Sequence, residues 1–135
     1  MARSNPASAP QMCPCGSDKA YGHCCGPYHQ GPMHLQAPTA EALMRSRYSA
    51  FVLDALQYLL DTWHPSTRPA QLDPNPADLK WLGLQVRRHA QQDAEHATVE
   101  FVARCRQAGR ATRLHETSRF VRADGRWFYL DGQHH

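Results

Sequence analysis

Four of the chain's five cysteines sit close together, as Cys13-Pro14-Cys15 and the adjacent Cys24 and Cys25. Thiolates at this spacing can converge on one small, soft-tolerant divalent ion. Four of them fill a tetrahedral shell and leave no place for a reactive water, so the chemistry expected is structural, with one Zn2+ per chain. Disulfides fit poorly, because Cys13 and Cys15 are too close along the chain and neighbouring Cys24 and Cys25 are closer still. Cross-pairing between the two groups stays open geometrically but lacks a secretory context. Pro14 stiffens the first knuckle, and Gly16 can take the positive φ that turns backbone N–H groups toward sulfur. His23, His29 and His34 lie nearby and could replace a cysteine or hydrogen-bond to the ligands, but each reads first as a solvated loop histidine.

A second set of residues could bind or move charge: Arg47, Tyr48, His64, Glu116, Ser118 and Tyr129. They fall in four separate stretches, at 47–48, 64, 116–118 and 129, so only folding can bring the stretches together. Thr39 is placed to cap a helix starting at Ala40, with Glu41 in the favourable first turn. Met44, Tyr48, Phe51, Val52 and Ala55 recur at helical spacing, and Arg47 falls within about 60° of that apolar face. Asp54 is the expected cap of a second short helix carrying Leu56, Leu59, Leu60 and Trp63, which Pro65 ends. Residues 65–78 hold four prolines and read as a loop with at most one helical turn.

Strand signals follow. Leu82, Leu84 and Val86 alternate with polar neighbours, as do Ala97, Val99, Phe101, Ala103 and Cys105. Ala108-Gly109 and Asp124-Gly125 are two-residue hairpin signals. The first turn pairs Ala103 with Leu114, Phe101 with Glu116, Val99 with Ser118 and Ala97 with Phe120. The second pairs Phe120 with Tyr129, Arg122 with Trp127 and Ser118 with Asp131. Paired residues share a sheet face, so Glu116, Ser118, Tyr129 and Asp131 are all expected on the apolar side. Arg104, Arg113, Arg119 and Arg126 gather on the other side, among Val102, Val121, Phe128 and Leu130. Helices followed by an antiparallel meander make an α+β fold, a curved sheet wrapped over helices. The expected division is a disordered leader at 1–11, a zinc knuckle at 12–27, a linker at 28–38 and a main domain at 39–132.

Charge decides little. Four thiolates and a dication together contribute two negative charges, which lowers the formal +3 to +1. No segment has the apolar length of a membrane span, and the first residues lack a signal core. A cytoplasmic location is the expectation, and it suits reduced thiolates. No phosphate-cradling glycine loop, nucleophile elbow or paired-histidine metal helix is present.

The knuckle resembles the SEC-C motif, a short zinc-binding segment also found at the C-terminus of the bacterial export ATPase SecA. Cys13, Cys15, Gly16, Ser17, Lys19, Tyr21, Cys24, Cys25 and Gly26 carry the match. Asp18, Ala20 and Gly22 depart from it where the motif usually has glycine and lysines, which weakens docking on acidic partners or lipid. The remainder is similar to the YchJ family of uncharacterised bacterial proteins, through the run Glu41 to Val52, Thr62-Trp63-His64-Pro65, Trp81 to Leu84, Phe101 to Arg104 and Asp131-Gly132. That resemblance implies an NTF2-like cone, a curved sheet and helices enclosing a pocket. It implies no established activity.

Three functional readings follow. The first is an adaptor, its knuckle docking on a protein partner, in which Cys24→Ser loses the metal but spares the cone. In the second, a small molecule occupies the cone, as a bound ligand or as the substrate of an isomerase- or dehydratase-like enzyme. Arg47 would then hold an anionic group and Glu116 act as base, with His64 and Tyr48 in support and Trp63, Trp127 and Tyr129 near the mouth. A buried Arg47–Glu116 ion pair would explain the same two residues without a ligand. The third, and least expected, is contact with nucleic acid or the ribosome through the outer arginines.

Overall fold

The computed structural model describes residues 11–135, and the expected leader therefore lies, apart from Gln11, outside the described residues. A small metal-type knuckle leads into three helices, α1 (Gly26–Gln30), α2 (Ala40–Val52) and α3 (Leu56–Asp61). A four-stranded meander follows: β1 (Leu79–Gln91), β2 (His96–Gln107), β3 (Arg110–Ala123) and β4 (Arg126–His134). The sheet is antiparallel throughout, in the order β1-β2-β3-β4. The fold is α+β, as the order of sequence signals implies.

Local chemistry sets the main elements. The Thr39 side chain accepts the Ala42 N–H at 3.0 Å and caps α2. Both hairpin turns have two successive residues at positive φ, Ala108-Gly109 at 53° and 76° and Asp124-Gly125 at 53° and 76°. That is the backbone whose twist matches the flanking strands. The β2–β3 register is the expected one, from Ala97 opposite Phe120 to Ala103 opposite Leu114.

Three expectations fail, each where the backbone departs from a regular period. In β4 the register shifts between Arg119 and Phe120, leaving Leu130 as the extra residue of a bulge. Asp131 therefore faces Arg119 on the outer side, and Gly132, not Asp131, lies opposite Ser118. In β1 a second shift, between Trp81 and Gly83, turns Leu82 out to 46% exposure. Asp54 does not cap α3. It sits at φ 55° and accepts the Asn75 N–H at 2.9 Å, tying the proline-rich loop back to the end of α2.

Helix α2 is the centre of the molecule and is buried almost all round. Met44, Tyr48 and Phe51 face the sheet. Ser46, Ser49 and Ala50 are fully buried on other faces, where their small side chains let α3 and the knuckle approach closely. Ser46 Oγ meets Tyr58 Oη of α3 at 2.7 Å.

Candidate functional site

The knuckle folds as a miniature hairpin. Cys13 N–H donates to Lys19 O and Tyr21 N–H to Gln11 O, both at 2.8 Å, and Gly16 turns the chain at φ 79°. The turn and the helix start at Gly26 bring Cys13, Cys15, Cys24 and Cys25 together, their sulfurs all within 4.8 Å of one another. Cys15 and Cys24 sulfurs are 3.6 Å apart, and those of Cys24 and Cys25 are 4.0 Å apart. Sulfurs about 2.3 Å from a tetrahedral ion stand about 3.8 Å from one another, so these distances suit a metal and not disulfide bonds. All are free thiols. Without a cation, hydrogen bonds from Cys15 and Cys25 hold the Cys13 thiol far below its usual range. Its sharing with Cys13 drives Cys25 far up, while burial raises Cys24. Crowded thiolates repel one another, and a bound dication would relieve that repulsion. The donor set fits a metal ion.

The cluster is part of the domain core. Cys15 and Cys25 are buried to 0% and 1% exposure, and share a hydrophobic cluster with Leu43, Met44 and Phe101. Cys13 Sγ lies 3.4 Å from Ser49 Oγ on α2. Arg45, paired with Glu41 at 3.0 Å, donates NH1 to Cys15 O at 3.0 Å. His29 is not a solvated loop histidine. It is 6% exposed, accepts Tyr21 Oη–H at Nδ1 (2.7 Å) and donates Nε2–H to Ser46 O (2.8 Å). Desolvation lowers its pKa below the ordinary value, which keeps it neutral. Residues 28–38 are accordingly tied down, with the end of α1 and buried Ala37 among them.

On the opposite side of α2, the helix and the concave sheet enclose a cavity of about 230 Å³. Its walls are mostly aromatic: Tyr48, Phe51, Trp63, Trp81, Phe101, Phe120 and Tyr129. Arg47, Glu116 and Ser118 supply the polar groups. Thus Arg47, Tyr48, Glu116, Ser118 and Tyr129 line one space, while His64 does not. Its backbone N–H pairs with Tyr129 O at 2.8 Å, and its ring stands edge-on to Phe128 on the outer face, with Nδ1 2.7 Å from Ser66 Oγ. Trp127 is packed in the core away from the cavity.

Arg47 and Glu116 are not bonded to one another. Arg47 NH1 donates to Leu59 O at 2.8 Å and Thr62 Oγ1 at 2.6 Å, at the end of α3 where helix carbonyls carry partial negative charge. Its guanidinium carbon lies 4.5 Å from the Tyr129 ring centre and 5.1 Å from that of Trp63. Burial with no carboxylate in contact pushes its pKa down to about 10, still charged at neutral pH. Glu116 is 8% exposed and accepts Ser118 Oγ–H at 2.5 Å through Oε2, with His134 Nε2 3.6 Å from Oε1. The bulge in β4 sets Gly132 opposite Ser118, and the missing Cβ there leaves room for Glu116 Oε2, which any larger residue would meet. Burial pushes Tyr129 up to about 12, with Glu116 adding to the effect.

The outer arginines are partly occupied. Arg119 makes a two-pronged bond to Asp131, at 2.6 and 2.5 Å. Arg126 lies over the Phe128 ring at 4.6 Å. Arg104 and Arg113 stand directly opposite one another in the ladder.

Residues 39–132 match the family model described as "YchJ, middle NTF2-like domain", and residues 10–27 match the SEC-C motif. The chain belongs to the YchJ family. It is 68% identical to a UPF0225 protein of Bordetella parapertussis, covering 94% of this chain and 96% of that one. A UPF0225 protein of Methylibium petroleiphilum is 62% identical, with 93% and 90% covered. Among solved structures, a SEC-C motif containing protein from Rhodopseudomonas palustris superposes with a TM-score of 0.77 at 36% identity, covering 90% of this chain and 96% of that chain. One from Psychrobacter arcticus gives 0.75 at 35%, covering 90% and 81%. In this YchJ-family chain the cysteine cluster lies in the SEC-C part and the cavity in the NTF2-like part, with α2 between them.

Sequence reasoning missed His29, Arg45, Ser49 and Gly132. The small residues Ser46, Ser49 and Ala50, on α2 faces other than the one carrying Tyr48, were the available signal that something packs there. Gly132 was marked only as part of the Asp131-Gly132 resemblance, and its structural importance depends on a bulge. Among the described residues, no helix is long and apolar enough to cross a membrane.

Proposed function

We propose that the protein binds a small molecule in the cone, and that a structural zinc ion held by Cys13, Cys15, Cys24 and Cys25 fixes the helix forming one wall of that site. One observation carries the reading: an aromatic cavity of about 230 Å³ contains a buried arginine with no carboxylate partner. Buried charge without a counter-ion is expensive, and pockets that combine apolar walls with few polar groups are the usual form of ligand sites. Zinc is favoured over other ions by four thiolates at tetrahedral spacing. Reduced thiolates suit the cytoplasm.

Docking on a protein partner through the knuckle is the second reading. Met12, 53% exposed, supports it by placing an apolar side chain on the outward rim. Against it, the inward face of the knuckle is already used on α2. Nucleic-acid contact has the least support, since Arg119 is paired and Arg126 is stacked.

Nuclear magnetic resonance of the zinc-loaded protein with a set of small aromatic fragments tests the cavity reading. The expected result is a fragment that moves the indole N–H signals of Trp63 and Trp81 and leaves that of Trp127 in place. If no fragment at millimolar concentration moves the first two, the cone is a plain core and the docking reading takes over. Glu116→Gln then separates binding from turnover, because it removes a base while keeping the side chain's shape.

A further inference from the structure

Resting on the cavity reading, we propose that the site takes a flat, singly charged carboxylate, with Arg47 holding the acid and Glu116 accepting a hydrogen bond from a donor elsewhere on the ligand. Four features of the cavity carry this.

The first is unspent donors. Among the described residues only NH1 of Arg47 is engaged in the protein's own hydrogen bonds, which leaves Nε and NH2, one edge of the guanidinium fork. The Trp63 ring stacks on the guanidinium, its centre 5.1 Å from the guanidinium carbon. An open guanidinium edge on the wall of a cavity is a ready anion-binding group. A carboxylate, with two oxygens in one plane, matches the fork.

The second is charge. Glu116 lines the same space without contacting Arg47, so the ligand's acid belongs at the Arg47 end and its hydrogen-bond donor at the Glu116 end. A monoanion with a hydroxyl or N–H keeps both ends paired. A phosphate ester would place a second negative charge in a small space with a carboxylate and a single arginine.

Wall chemistry is the third. Rings from the helix side and the sheet side line the cavity, and flat apolar ligands fill such a space better than branched or sugar-like ones. The fourth is size. A dry cavity of about 150 Å³ accepts benzene. About 230 Å³ therefore takes a ring with two small substituents, about nine or ten non-hydrogen atoms by the same scaling.

The test is calorimetry on the zinc-loaded full chain with benzoate, 3- and 4-hydroxybenzoate, phenol, benzylammonium and phenyl phosphate. Benzoate is expected to bind about tenfold or more tightly than phenol, with benzylammonium weaker still. One hydroxybenzoate should exceed benzoate, and Glu116→Gln should erase that advantage. Arg47→Lys keeps a charge but loses the fork, so benzoate should weaken while phenol is unchanged. Should Arg47→Lys fail to fold, the panel on the unaltered protein decides alone. Phenol or benzylammonium binding as well as benzoate overturns the carboxylate proposal while leaving the cavity reading intact. Tighter binding of phenyl phosphate also overturns it. Failure of every aromatic to bind overturns both.

Discussion

The knuckle and the cone are built on opposite principles. The four knuckle sulfurs come from residues 13–25 and meet through short-range geometry: a hairpin, a glycine turn and a helix start. The cavity draws on residues from Met44 to Tyr129, and no two of its polar groups from different elements are neighbours in sequence. One site is a local arrangement whose four sulfurs could hold an ion, and the other is a product of the whole sheet. They meet on α2, which carries Ser49 toward the sulfurs and Arg47 toward the cavity. A metal-type knuckle can thus serve as a structural wall-tie rather than as a separate module.

The largest expected effect breaks the division between the two regions. Metal removal by a chelator, or Cys25→Ser, is expected to lower the melting temperature of the whole domain by about 10 °C or more, because structural zinc contributes directly to folding and each kcal/mol is worth a few degrees at this size. Circular dichroism of the sheet signal reads it. A sheet that melts as before would restore the picture of a knuckle independent of the cone.

Next comes the cone's own constraint. Gly132→Ala should cost about 1–3 kcal/mol as an overpacked position, read as a shift in the urea midpoint. Adding Glu116→Ala should recover most of the loss, since Glu116 Oε2 is the atom a Cβ would meet. Failure of the second change to rescue the first would place the strain elsewhere.

The smallest effect sharpens the link between the regions. His29 is buried neutral with its pKa depressed by desolvation. Below about pH 6.5 the unfolded imidazole takes up a proton that the folded one refuses. Stability is therefore complete above that pH and declines as pH falls toward the depressed folded value. Comparing urea midpoints at neutral and mildly acid pH, His29→Gln should show a shallower decline than the unaltered protein. An identical slope would assign the acid sensitivity to groups other than His29.

Much of this was legible because the signals are local. Thr39 marks the start of α2 through one side-chain bond, and two turn dipeptides with positive φ set the hairpins. The β2–β3 register then placed Glu116 and Ser118 on the inner face by alternation alone. Alternation also explains the misplaced residues: one extra residue at a bulge reverses every side chain beyond it, as Asp131 and Leu82 show. Asp54 looked like a cap because its type and spacing allow one, but a tertiary bond to Asn75 claimed it.

By itself, then, the amino-acid order determined the four-thiolate cluster, the capped helix, the hairpin turns and the α+β class. Each follows from groups within a few residues of one another, where chain connectivity does most of the work. Only the tertiary structure decided that the knuckle is sealed against α2, that Arg47 rests on a helix end and two aromatic rings instead of Glu116, and that His64 stays outside the cavity. These outcomes depend on which buried groups find partners once the chain has closed, and that competition is settled by packing across the whole molecule.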